Sequence, residues 1–146
     1  MSSRKNLVRV IAALALAASG SLAYGHGDVA PQPVDVTGLD PVGAEWLTEN
    51  PYRLKGGEQY ELARKIGESG YAQNCARCHG LQGVSGGIAP DVRFLEDEQP
   101  GDEWFMERIR KGYTLNGAVK MPPFEGVFSQ EAMWAIRSYI ETLPKE

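Results

Sequence analysis

The 146-residue sequence is short of several things. It has only two cysteines and two histidines, too few for a disulfide-dense scaffold or a four-cysteine zinc site. It has no surplus of positive charge: 15 Lys and Arg face 19 Asp and Glu, a formal net charge of −4. A protein built chiefly to grip nucleic-acid phosphates needs the opposite balance, so that class is set aside. Its apolar run, Val10 to Ala18, falls well short of the roughly 20 residues that span a bilayer. No internal repeat is visible, and no stretch alternates long enough to demand a sheet. The length suits one domain and leaves no room for a second sizeable core.

What the chain does have is turn chemistry. Seventeen glycines and nine prolines make up about 18 % of it, against roughly 12 % on average. The beginning reads as an export signal. Arg4, Lys5 and Arg9 form a basic start, the short apolar run follows, and small residues offer cleavage after Ala23 or after Gly25. The competing reading is an uncleaved membrane anchor. The basic pair is Arg4-Lys5, not Arg-Arg, which favours general secretion in an unfolded state. Cleavage after Ala23 would remove three cations and no anion, moving the charge from −4 to −7.

Three regions are therefore expected: a signal peptide over 1–23, an extended arm over 24–57 and a helical domain over 58–146. The arm carries Pro31, Pro33, Pro41 and Pro51 and shows no helical period. Trp46, Leu47 and Tyr52 are its candidate anchors. In the domain, a first helix is predicted from about Glu58 to Asn74, with Leu62 and Ile66 on one line and Gly67, Tyr71 and Cys75 on another. A second is predicted over about Asp102 to Lys111, capped by Asp102 and stopped by Gly112. A third follows Ser129 as N-cap, carries the stripe Met133, Ile136, Ile140 and Leu143, and ends at Pro144. The expected class is all-α: three main helices with long loops.

The chemistry is concentrated in Cys75-Ala76-Arg77-Cys78-His79. Two thiols one helical turn apart can form thioethers with the two vinyl groups on one edge of a haem, and the next histidine reaches its iron. This is the known attachment signature for c-type haem. A redox dithiol would sit near a βαβ pattern, which is lacking. A zinc site needs more ligands, and the other histidine is His26 in the arm. A structural disulfide across two intervening residues would constrain almost no chain.

A second axial ligand decides between electron transfer and chemistry at the iron. A second imidazole would have to be recruited from His26. Met1 leaves with the signal, and Met106 and Met133 fall inside predicted helices, where a methionine is ordinarily core. Met121 stands in Lys120-Met121-Pro122-Pro123-Phe124, where two prolines stiffen the backbone. Met121 is thus the expected sixth ligand, opposite His79. The loop Ser85-Gly86-Gly87-Ile88-Ala89-Pro90 returns soon after His79, so the Pro90 carbonyl is the expected acceptor for the imidazole's other N–H. The plainer reading is that Pro90 only shapes a turn.

With these residues in place, the stretch from about Gly67 to Leu143 resembles a class I cytochrome c. Gly67 and Tyr71 match that family's glycine and aromatic, Pro90 its proline, Met121 its axial methionine, and Ile136 and Tyr139 its last-helix contacts. The resemblance implies one covalent haem c and first and last helices crossing with Gly67 at the contact. Within that class the chain is similar to the small cytochromes c of bacterial quinoprotein ethanol oxidation. The matching stretches are His26 to Val29, Glu49 to Arg53, Ser85 to Asp91, Gly101 to Phe105, Asn116 to Val127 and Gln130 to Thr142; Lys55 to Lys65 matches nothing. This implies a periplasmic electron carrier, not an enzyme. Its donor would be a PQQ-dependent alcohol dehydrogenase, and its acceptor a further cytochrome or terminal oxidase. The alternative from another class is a haem c protein that binds a small ligand or peroxide where Met121 is displaced. Glu96, Asp97, Glu98, Asp102 and Glu103 form an acidic cluster, read either as a steering patch for a basic partner or as a solvated loop.

Overall fold

The computed structural model describes residues 30–145. The expected signal peptide, both cleavage points and His26 lie outside these described residues. In order, the elements are α1 (Pro51–Lys55), α2 (Gly57–Asn74), α3 (Ala76–His79), a 3-10 turn (Val92–Phe94), α4 (Glu98–Lys111), β1 (Tyr113–Leu115), β2 (Ala118–Met121) and α5 (Gln130–Ile140). The fold is mostly helical, as expected. The expectation of helices and loops alone is corrected: among the described residues there are five helices, and β1 pairs with β2 in a two-stranded antiparallel sheet.

The two long predicted helices at either end of the domain form for local reasons. In α2, Ala63, Gly67, Gly70, Tyr71 and Asn74 are buried along one side, the three-and-four spacing that makes a face. That face meets α5, the main helix–helix contact of the molecule. At the crossing, Gly67 lets the backbones approach, because a β-carbon there would overlap the Ala135 carbonyl. Helix α5 begins where Ser129 Oγ accepts from the Ala132 amide at 3.3 Å. Its helical residues stop at Ile140, and Leu143 is buried in the turn that follows.

Helix α5 is buried on nearly every side, including Trp134, Arg137 and Ser138. Its second face is covered by residues 30–50, which adopt no regular element yet are closely bonded. The Leu47 amide donates to Gln130 Oε1 at 2.8 Å, and Gln130 Nε2 returns a bond to the Glu45 carbonyl at 2.9 Å. The Val42 amide donates to Glu131 at 3.0 Å. Where a strand would pair with a sheet edge, this segment instead finds glutamine and glutamate side chains for its amides. Asn50 closes it by capping α1, accepting from the Tyr52 amide at 3.1 Å, with Pro51 at the helix start.

The second predicted helix differs in its beginning. Helix α4 starts at Glu98, four residues before the expected Asp102, because Pro100 falls in the first turn, where its missing N–H costs no bond. Asp102 is therefore neither a cap nor part of an acidic surface. It is fully buried, and Arg137 Nε donates to it at 2.7 Å, Arg53 Nη2 at 2.7 Å and the Asn50 amide at 2.8 Å. Glu96, Asp97, Glu98 and Glu103 remain exposed.

The hairpin follows from Asn116-Gly117. Both residues take positive φ, 51° and 77°, as a two-residue turn between right-twisted strands requires. Tyr113 pairs with Met121 but Thr114 pairs with Val119, which leaves Lys120 as an extra, bulged residue. The bulge sets the side from which Met121 leaves the strand.

Candidate haem site

Helix α2 runs almost directly into the attachment motif. Cys75 is its C-cap, and the Cys78 and His79 amides both donate to the Cys75 carbonyl, at 3.1 and 3.0 Å. One tight turn therefore separates the two thiols, and both are free. Burial first, and the neighbouring Cys78 second, push the Cys75 thiol up to about 12. A thiol held protonated in this way is a poor redox nucleophile. Nor do the described residues contain any group of three or more His, Cys, Asp or Glu able to hold a metal ion.

His79 Nδ1 stands 2.8 Å from the Pro90 carbonyl oxygen. A carbonyl only accepts, so Nδ1 carries the proton and Nε2 keeps its lone pair free for a metal. The loop that returns Pro90 is held internally. Ser85 Oγ donates to the Ala89 carbonyl, and the Gly87 amide donates to Ser85 Oγ at 3.1 Å. Behind the motif, Tyr71 donates to the Gly80 carbonyl at 2.8 Å and packs its ring 5.3 Å from that of Tyr139. Gly80 has φ 81°, and any side chain there would run into the Val84 backbone. Tyr71 and Gly80 thus shape the turn that carries His79. The sequence places Tyr71 on a helix face and matches it to the family's aromatic, but its bond to the Gly80 carbonyl is visible only in the fold.

Met121 ends β2, half-buried and, like Cys75, packed against the core cluster. Met106 is 4 % exposed and Met133 0 %, so both are occupied as core. The carbonyl of Met121 rests on Gly112, which has φ 70° and no space for a β-carbon. Beyond the two prolines, the Phe124 amide donates to the Ile109 carbonyl at 2.9 Å. The methionine segment is therefore fastened to the last turn of α4. The sequence contains the signal for this hairpin, Asn116-Gly117, but its strands are three and four residues long and largely exposed, so no alternation betrays them.

The two segments that carry His79 and Met121 also leave apolar side chains in water: Leu81, Val84 and Ile88 on the first, Leu115 and Val119 on the second. An apolar group covering these side chains would account for their exposure better than solvent does. The donor set fits too, with two free thiols, an oriented imidazole and a thioether on a stiff segment.

Comparison with known proteins places the chain in a family. Residues 63–140 match the family described as cytochrome c oxidase, cbb3-type, subunit III. Cytochrome c550 of Pseudomonas aeruginosa is 53 % identical over 140 residues, spanning 96 % of this chain and 96 % of that protein. Two quinohemoprotein alcohol dehydrogenases of Pseudomonas putida match over shorter stretches. ADH-IIG is 34 % identical over 70 residues, which is 48 % of this chain and 9 % of that protein. ADH IIB is 31 % identical over 86 residues, 57 % of this chain and 11 % of that one. No solved structure matches the chain. The chain belongs to the cytochrome c family: it binds haem c covalently and carries electrons, with no substrate turnover of its own.

Proposed function

We propose that this protein is a periplasmic one-electron carrier whose single haem c is bonded to Cys75 and Cys78 and ligated by His79 and Met121. The observation that carries the reading is the 2.8 Å contact of His79 Nδ1 with the Pro90 carbonyl, on the same tight turn as both thiols. When bound, the haem supplies a one-electron ferric–ferrous couple. The chain's residues do the rest. Cys75 and Cys78 anchor one edge, and Pro90 fixes the plane of the imidazole. Met121 would supply a thioether to the iron, which would favour the ferrous state and raise the potential. Pro122 and Pro123 limit the motion of its backbone.

The donor we assign is a PQQ-dependent alcohol dehydrogenase acting on ethanol, and the acceptor a downstream cytochrome or terminal oxidase. Support for the donor comes from the two Pseudomonas putida dehydrogenases, in which a stretch similar to this one makes up 9 % and 11 % of the chain. There the similar segment is joined to an alcohol dehydrogenase. A separate chain of the same kind would meet its dehydrogenase by diffusion. The region boundaries and the export route belong to this proposal; among the described residues, no helix is long and apolar enough to cross a membrane.

Two measurements test it. Purified quinoprotein ethanol dehydrogenase with ethanol should reduce the ferric protein rapidly. Failure there, with a different dehydrogenase succeeding, removes the donor and leaves the ligation intact. A methionine-sulfur-to-iron band at the red end of the ferric spectrum supports Met121, whereas rapid carbon monoxide binding to the reduced protein counts against a filled sixth position.

A further inference from the structure

The methionine segment is fastened on one further side, by the arm. Glu125 lies four residues beyond Met121. Arg110 Nε donates to its Oε2 at 3.0 Å and Arg110 Nη2 to its Oε1 at 3.3 Å, a two-pronged pair. The same Arg110 carries Trp46 against the face of its guanidinium, with the carbon 3.8 Å from the ring centre. Trp46 comes from the irregular segment over α5, and its neighbour Leu47 is bonded to Gln130. A path of direct contacts therefore runs from α5 through Leu47 and Trp46 to Arg110, then to Glu125 and the backbone that follows Met121.

An exposed ion pair by itself holds little, because a free arginine must give up its rotamers to form it. An indole lying on one face of the guanidinium removes that freedom beforehand and adds attraction of its own. Trp46 is 39 % exposed, a high value for a tryptophan serving only as core. We infer that Trp46 is a positioning residue for the axial methionine. By stacking on Arg110 it fixes the pair with Glu125, and so limits excursions of residues 121–125 away from the ligating position. The inference rests on Met121 being the second axial ligand. An external ligand reaches the iron only in the fraction of molecules whose methionine segment has moved aside, so its apparent affinity reads that fraction.

The test uses the full-length ferric holoprotein and imidazole as external ligand, followed by loss of the red-end band. Trp46→Ala should bind imidazole about fivefold more tightly, while Trp46→Phe stays close to the unaltered protein. Glu125→Gln should act in the same direction, and its effect should not add to that of Trp46→Ala, since both break one path. Asn50→Ala loosens the arm at a different point, the 2.9 Å bond to Ser138. It should lower the thermal midpoint and leave the imidazole affinity unchanged. Equal tightening in Asn50→Ala and Trp46→Ala overturns the inference, because general loosening would then explain both. No tightening in Trp46→Ala also overturns it while leaving the ligand assignment standing, provided Met121→Ala binds imidazole more tightly. If Met121→Ala shows no gain, the ligand assignment fails and the inference falls with it.

Discussion

Gly67 of α2 lies directly against the Ala135 carbonyl of α5, and a β-carbon at Gly67 would also come within 2.9 Å of the Ile136 nitrogen. The two helices thus meet backbone to backbone, with nothing between them that could yield. Gly67→Ala gains about 1 kcal/mol of helix propensity but forces the crossing apart. The expected net loss is about 2 kcal/mol or more. Denaturant unfolding of the ferric holoprotein measures it, and equal or higher stability would disprove so close a crossing.

Asp102 should be the costliest single carboxylate in the molecule. Asp102→Ala takes from Arg137, 1 % exposed, its nearer counter-ion at 2.7 Å and leaves it only Glu141 at 3.4 Å, and it frees the Asn50 amide as well. Breaking a buried pair from one side costs about 3–5 kcal/mol. Glu98→Gln, at an exposed position in the same helix, should stay within about 0.5 kcal/mol. Urea titrations of the two variants side by side decide the point; similar effects would mean that Asp102 is hydrated.

Acid should loosen the arm through Glu131. Burial pulls this carboxyl's pKa upward, but the amides of Val42 and of Glu131 itself, with the Ser129 hydroxyl, outweigh it, and the net position is below the ordinary 4.5. A carboxyl depressed in the folded state stabilises above its unfolded pKa, and that contribution disappears as pH falls through the folded value. Stability of the unaltered protein relative to Glu131→Gln should therefore be constant near neutrality and shrink once the pH drops below 4.5. A difference that does not change with pH would show that Glu131 contributes nothing as an anion.

Met121→Ala should abolish the red-end band, open the iron to carbon monoxide, and lower the potential. The drop should be on the order of 0.1 V, a modest part of the roughly 0.8 V that axial ligands span. Spectroelectrochemistry reads all of this on one sample. An unchanged spectrum would make Met106 the next candidate, although Met106 is buried as core.

Gly112→Ala tests the same segment from beneath. The glycine has φ 70°, and a methyl group there would meet Met121 and both following prolines. The variant should weaken the methionine band at neutral pH more than it lowers the thermal midpoint. The reverse order would assign Gly112 to helix termination alone.

How far each of these was legible in the sequence depends on the range of the interaction. The start of α5 was legible because Ser129 caps it within three residues. The line through Gly67, Tyr71 and Cys75 was legible because a helix repeats every three to four residues. The start of α4 was not. Asp102 looks like an N-cap in one dimension, and only Arg53 from the arm and Arg137 from α5 show it to be an internal counter-ion. The hairpin that carries Met121 has only Asn116-Gly117 as its signal in the sequence, since strands this short produce no pattern.

The sequence by itself determined the chemistry: two thiols and an imidazole on one turn, and a methionine held by prolines, all set by covalent spacing and backbone stiffness. The tertiary structure alone decided what surrounds that chemistry. It turned a proline-rich arm into the cover of α5, sank Asp102 between two arginines, and fastened the segment after Met121 to the last turn of α4. Those outcomes depend on partners 15 to 89 residues apart in the chain, where no local rule reaches and only the packed core brings them together.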